Sequence, residues 1–171
     1  MSKRHFLMMA AYNRWANERI YAAAETLPDE EWRRNTGAFF GSLMATLNHI
    51  LVADRIWLHR FTREGSAPNA LDVVLHADFP GLKAARESED RRIVTWLEGL
   101  AETDIEGRFS YTTVSDMRTI SQRLEPALVH FFNHQTHHRG QAHAILTTLG
   151  RPSVVLDLIG FLRTEDGRPY A

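Results

Sequence analysis

Cysteine is missing altogether from the 171 residues. Its absence excludes disulfides, cysteine-based zinc sites and any thiol nucleophile supplied by the chain itself, and it fits a reducing compartment. Charge of one sign is not in excess either. Twenty Lys and Arg face 21 Asp and Glu for a formal net charge of −1, with the basic residues spread along the chain. That is no electrostatic footprint for nucleic acid. No apolar run approaches the ~20 residues that a membrane span needs. The run FLMMAAY near the N-terminus is short and is followed by Asn13, Arg14, Asn17, Glu18 and Arg19. It reads as one side of an amphipathic helix rather than as a signal peptide. The expectation is a cytoplasmic protein with neither a nucleic-acid nor a membrane partner. Repeats, low-complexity stretches and composition breaks are also absent, so a single domain over residues 1–171 is expected.

Histidine is what the chain does have. Five of its nine histidines fall within Pro126–Gly150, PALVHFFNHQTHHRGQAHAILTTLG. This segment is one of four long helical patterns. The first runs from about Lys3 to Thr26 and ends in LPDEEW, where Pro28, Asp29 and Glu30 give turn and helix-start signals. The second runs from about Ser42 to Thr62, with broad apolar faces from Leu43 to Leu58. The third begins near Phe79 and continues through GLKAARESEDRRIVTWLEGLAE. The fourth is the histidine helix, entered near Leu124 to Pro126 and ended by Gly150 with Arg151 and Pro152 behind it.

Between the third and fourth helices the period changes to two. Phe109, Tyr111 and Thr113 alternate, as do Met117, Thr119 and Ser121, with a turn at Ser115 and Asp116. A short β-hairpin is expected there, and a further short helix in the tail SVVLDLIGFLRTEDGRPYA. The fold class predicted is all-α: a four-helix bundle of up-down type, its long helices antiparallel, with a small hairpin inserted before the last helix.

His134 and His138 stand four residues apart, which puts two imidazoles on one helix face about one turn apart. Bundles commonly hold metal ions between such faces, and a third ligand would have to come from another helix. His49, in the otherwise apolar SLMATLNHILVADRIWLHRF, is the best placed. His137 competes with His138 as the partner of His134, because a spacing of three also shares a face. His130 extends the stripe, but ~12 Å of helix separates it from His138, too far for one ion with bonds of ~2 Å. It is left as a lining or outer residue beside Gln141. His143 lies across the wheel from His134, and His5, His59 and His76 read as surface or packing residues. Asp54 sits about 140° around from His49, which points to helix pairing rather than chelation. Tyr12, Trp15, Tyr21, Trp57 and Trp96 read as core or groove lining. Tyr12 and Asn13 would line a pocket if the first helix covered the site. Gly140 within a helix suggests a close helix crossing there.

YNRWANERIY, LNHILVADRIWLHR and FFNHQTHHRGQ together resemble the DinB family, grouped with the DinB/YfiT-like metalloenzymes, over nearly the whole chain. The resemblance implies a four-helix bundle in which three histidines hold one divalent metal ion per chain, zinc or nickel. By motif these are His49, His134 and His138, which decides between His138 and His137. A homodimer is also implied. Some relatives use low-molecular-weight thiols, and a chain without cysteine would need its thiol from outside. The expected function is therefore that of a metal-dependent transferase using a small-molecule thiol. A metal-activated hydrolase and a non-catalytic, structural metal-binding bundle of the stress response are the alternatives.

Overall fold

Four long helices are set by their ends as much as by their apolar faces. In the computed structural model, which describes residues 1–113 and 116–171, α1 spans Lys3–Ala24 and starts where Ser2 accepts a hydrogen bond from the His5 amide. A short α2 (Asp29–Arg33) follows. Helix α3 (Leu43–Thr62) is capped by Ser42, whose hydroxyl accepts from the Ala45 amide at 3.2 Å. Asp78 does the same for α4 (Phe79–Gly99) through the Gly81 amide at 2.7 Å. A second short helix, α5 (Glu102–Glu106), precedes the hairpin β1 (Arg108–Thr112) and β2 (Thr119–Arg123). Helix α6 (Leu124–Thr148) ends where Gly150 turns left-handed at φ 76°. There the Gly150 amide reaches Thr147 O and the Arg151 amide reaches Leu146 O, the paired bonds of a glycine-terminated helix. A last turn, α7 (Leu158–Phe161), sits in the tail, as expected.

The hairpin is antiparallel, with Tyr111 opposite Ile120. Phe109 and Tyr111 turn inward, whereas Met117, Thr119 and Ser121 face solvent. The strands stop short of Thr113 and Met117, and the expected turn residue Ser115 lies outside the described residues.

Each long helix packs on two others, α1 and α3 on both α4 and α6, so α1 and α3 stand across the diagonal. The contacts give directions. Lys3 reaches Glu98 O and Lys83 reaches Glu25, so α1 and α4 are antiparallel. Asp54 meets Arg86 and Phe61 stacks on Trp96, so α3 and α4 are parallel. Phe6 stacks on Phe132 and Asn13 meets Arg139, so α1 and α6 are parallel too. The four-helix bundle is present, and its order is up, down, down, up rather than strictly alternating. The reason is the connection of residues 63–78. At ~3.3 Å per residue it is long enough to run back along a helix of ~30 Å.

The core has two main parts, and a small third cluster of Tyr12, Ala16 and Phe161 holds the tail on α1. Ile20, Trp32, Leu43, Leu47, Leu82 and Leu146 fill one end, and Phe6, Leu58, Ile93, Leu97, Leu128 and Phe131 the other. Between them every long helix contributes a buried polar residue: Asn13 and Asn17, Asp54, Arg86 and Asp90, Gln135 and Arg139. Among the described residues no helix is long and apolar enough to cross a membrane.

Candidate metal centre

The three histidines singled out from the sequence come together beside this polar layer, where α3 faces α6. His49 and His138 are buried and His134 is half-buried, and one nitrogen of each lies within 4.8 Å of the others. The His138 Nε2 stands 3.1 Å from His134 Nε2 and 3.3 Å from His49 Nε2.

The far side of two rings fixes the role of those nitrogens. His49 Nδ1 faces the Leu71 carbonyl oxygen at 2.8 Å, and His138 Nδ1 faces Gln141 Oε1 at 2.8 Å. Both partners only accept, so each Nδ1 carries the proton and each Nε2 a bare lone pair. Burial lowers the pKa of all three imidazoles, and it drives His134 down to about 3 with help from the neighbouring His138 and His49 rings. They are neutral at pH 7. Lone pairs converging at these distances repel unless a cation lies between them. A neutral, soft-to-borderline nitrogen donor set with its outer hydrogen bonds in place therefore fits a divalent transition-metal ion. Among the described residues no further His, Asp or Glu joins the cluster. Three protein ligands leave coordination positions open, as in catalytic rather than structural zinc sites.

Several neighbours were not legible in advance. Phe40 stacks on His49 with ring centroids 4.0 Å apart and planes 24° apart, and Phe39 meets Phe40 edge-on at 4.8 Å. The turn Ala38–Gly41 that presents them needs left-handed backbone at Gly37 and Gly41. Two adjacent aromatics in a glycine-flanked loop, TGAFFGS, were the available signal. Leu71 acts through its carbonyl, which no side-chain pattern announces. Phe39 and Leu71 leave much of their surface exposed, giving the centre an apolar rim.

Other expectations sort themselves by position. His137 is exposed and points its Nε2 at Gln141, 3.4 Å away, so it lies outside the cluster. Gln141 takes the outer role foreseen for it. His130 packs on Trp57, with ring centroids 5.1 Å apart. His143 bonds Ser153 and the Val154 amide. Asp54 does pair helices: it accepts from Arg86 at 2.6 Å and from Gln135 at 2.9 Å. Tyr12 and Asn13 do not line the centre, because α1 packs on the other flank of α6. The Tyr12 hydroxyl donates to Leu156 O, and Asn13 joins the polar layer through Asp90. No close crossing occurs at Gly140, where a Cβ would meet nothing within 4 Å. A cavity of about 770 Å³ between α1, α6 and residues 153–158 holds Gly140 and His143 in its wall and none of the three clustered histidines.

The sequence model of the DinB family matches residues 1–168. This chain belongs to the DinB family. Protein DinB of Bacillus subtilis (strain 168) is 25% identical over 152 residues, which is 85% of this chain and 87% of that one. The crystal structure of a DinB-like protein from Bacillus cereus ATCC 10987 shares the fold. Its TM-score is 0.66 at 18% identity, and the match covers 86% of this chain and 93% of the other. The three-histidine cluster of this DinB-family chain is thus set in the bundle that the family shares.

Proposed function

We propose that this protein is a metal-dependent transferase that uses a small-molecule thiol. The observation that carries the reading is the convergence of three imidazole Nε2 atoms, those of His49 and His138 with bare lone pairs, and no fourth protein ligand among the described residues. Zinc or nickel held there would supply positive charge that makes an external thiol acidic and keeps its sulfur in place as a nucleophile. His49, His134 and His138 would hold the ion. The Leu71 carbonyl and Gln141 would fix two of the rings by taking their Nδ1 protons in hydrogen bonds. Phe40 covers the face of His49 and keeps water from it, and the apolar rim of Phe39 and Leu71 would receive an uncharged electrophilic partner. The chain has no cysteine, so sulfur has to come from the co-substrate. The homodimer implied by the resemblance belongs to the same reading, and sedimentation of untagged protein tests it.

Cobalt-substituted protein titrated with glutathione and with bacillithiol tests the function. About one ion per chain, with a change in the cobalt absorption bands on adding one thiol, is the expected result. One ion whose bands respond to neither thiol overturns the thiol reading and favours the hydrolase.

A further inference from the structure

Arg60 stands apart from the arginines around it. Its guanidinium carbon lies 4.6 Å from the centroid of the Trp57 ring and 4.5 Å from that of Tyr111, so both aromatic faces hold it in place. The hairpin arginines are spent. Arg63 donates to Ser110 O, Arg108 donates to Ser121 O at 2.9 Å, and Arg118 pairs with Asp116 at 2.5 Å. Arg60 is half-buried, and among the described residues no carboxylate pairs with it. The Trp57 and Tyr111 rings are 5.5 Å apart and inclined at 61°, so they form a corner against one side of the guanidinium. Its N–H donors on the open side, part of a rigid fork of five, are left for a ligand.

Arg60 lies in line with the three-histidine centre. Arg60 follows His49 on α3 by about three turns, ~16 Å of axis and only roughly 20° around the helix. Helical side chains lean back towards the N-terminus, which brings the guanidinium over Trp57 and nearer the centre. From Trp57 the row continues on α6, to His130 at 5.1 Å and on to His134 at 5.8 Å between ring centroids. His130 is exposed, and Trp57, Arg60 and His134 are half-buried, so the row reaches solvent at His130. A small molecule on the order of 10 Å long would reach from one end to the other.

We infer that Arg60, seated in the corner of Trp57 and Tyr111, is an anion-binding subsite that grips a carboxylate or phosphate group of the molecule whose other end enters the three-histidine centre. The link to that molecule rests on the function proposed above, whereas the grip on the anion does not. Hairpin attachment alone is a poorer account of Arg60. Arg63 already ties α3 to β1, and a side chain used only as glue need not keep its whole hydrogen-bonding edge unspent.

The test is a calorimetric titration of the full chain with succinate and, separately, with inorganic phosphate at pH 8. The proteins are the wild type and the variants Arg60→Met, Arg60→Lys and His134→Ala. Saturable binding of at least one anion is expected. It should weaken at least tenfold in Arg60→Met, recover in part in Arg60→Lys and survive in His134→Ala. Succinate alone would mark a carboxylate site and phosphate alone a phosphoryl site. No saturable binding of either anion overturns the subsite. So does binding that His134→Ala abolishes while Arg60→Met leaves it intact, since the anion would then sit at the centre itself. Circular dichroism of Arg60→Lys checks that the hairpin is still folded. Because no thiol is present, failure here leaves the thiol reading standing, and failure of the cobalt titration leaves the subsite standing.

Discussion

The histidine centre and the Asp54–Gln135 part of the buried polar layer come from neighbouring stripes of the same two helices, α3 and α6, yet they are opposites. Asp54 and Gln135 turn into the bundle, whereas His49, His134 and His138 turn to the groove between α3 and α6. In the layer, donors meet acceptors. Arg86 pairs with Asp54 and Asp90, and Asn13 and Asn17 link Asp90 to Arg139. Two carboxylates balance two guanidiniums. Among the described residues only Arg86 Nε, Arg86 Nη2 and Gln135 Oε1 of the layer make no hydrogen bond, and Arg86 Nη2 still stands 3.0 Å from Asp90 Oδ1 as an ion pair. In the centre, three imidazole nitrogens converge and no carboxylate, amide or guanidinium comes with them among the described residues. Burial of a polar group does not by itself mark a site, because a group whose neighbours complete it is architecture. The group left incomplete is the one that asks for a ligand.

The largest effect should come from breaking the layer. Arg86→Ala would leave Asp54 and Asp90 buried without their shared cation, and loss of one partner from a buried pair costs ~3–5 kcal/mol. Chemical denaturation measures it, and a loss under about 1 kcal/mol would mean that the layer is not the closed unit described. The centre should respond the other way round. His49→Ala, His134→Ala and His138→Ala should each abolish tight metal binding while leaving the metal-free fold as stable as the parent or more so. His137→Ala and His143→Ala should bind metal normally, and Gln141→Ala should weaken binding ~10–100-fold through loss of an outer hydrogen bond. Elemental analysis and metal titration read all six. Equal loss in His143→Ala, or loss in His137→Ala with His138→Ala unaffected, would mean that the cluster is not the metal site.

The two regions were not equally readable from the sequence. A spacing of four residues puts His134 and His138 on one face in any α-helix, so the centre could be sketched before its fold was known. The wheel left His137 open because a spacing of three serves nearly as well. What separates the two is the roll of α6 against α3, a tertiary quantity. The layer was hardly visible, since Asn13, Asn17, Arg86 and Asp90 look like the solvent side of amphipathic helices. Only helix directions reveal that they face one another. Those directions depend on the path of residues 63–78, which carries no periodic signal. The long helices were legible because Ser42, Pro126 and Gly150 mark their ends, whereas α2 and α5 are too short to show a period.

Acid should separate the two regions by the sign of a slope, a smaller effect than either substitution. Histidines in an unfolded chain titrate near roughly 6.5. In the folded metal-free protein burial and the neighbouring rings hold His134 near about 3, and burial lowers His49 and His138. Between those values the unfolded chain binds more protons than the folded one. Stability is therefore fully present above pH ~6.5 and drains away as the pH falls towards 3. Asp54 works against this. Burial pushes its carboxyl up to about 6 while Arg86 and Gln135 pull it down, so the folded state takes that proton before the unfolded state does near roughly 3.9. Its protonation offsets part of the loss between those two values. Thermal unfolding in chelator from pH 8 to pH 4 should then show a shallower acid slope for His134→Ala than for the parent, and a steeper one for Asp54→Asn. Absolute stabilities will differ for other reasons, and only the slopes carry the comparison. Three equal slopes would mean that the imidazoles are not held neutral, and the centre would lose its claim to be a site waiting for a cation.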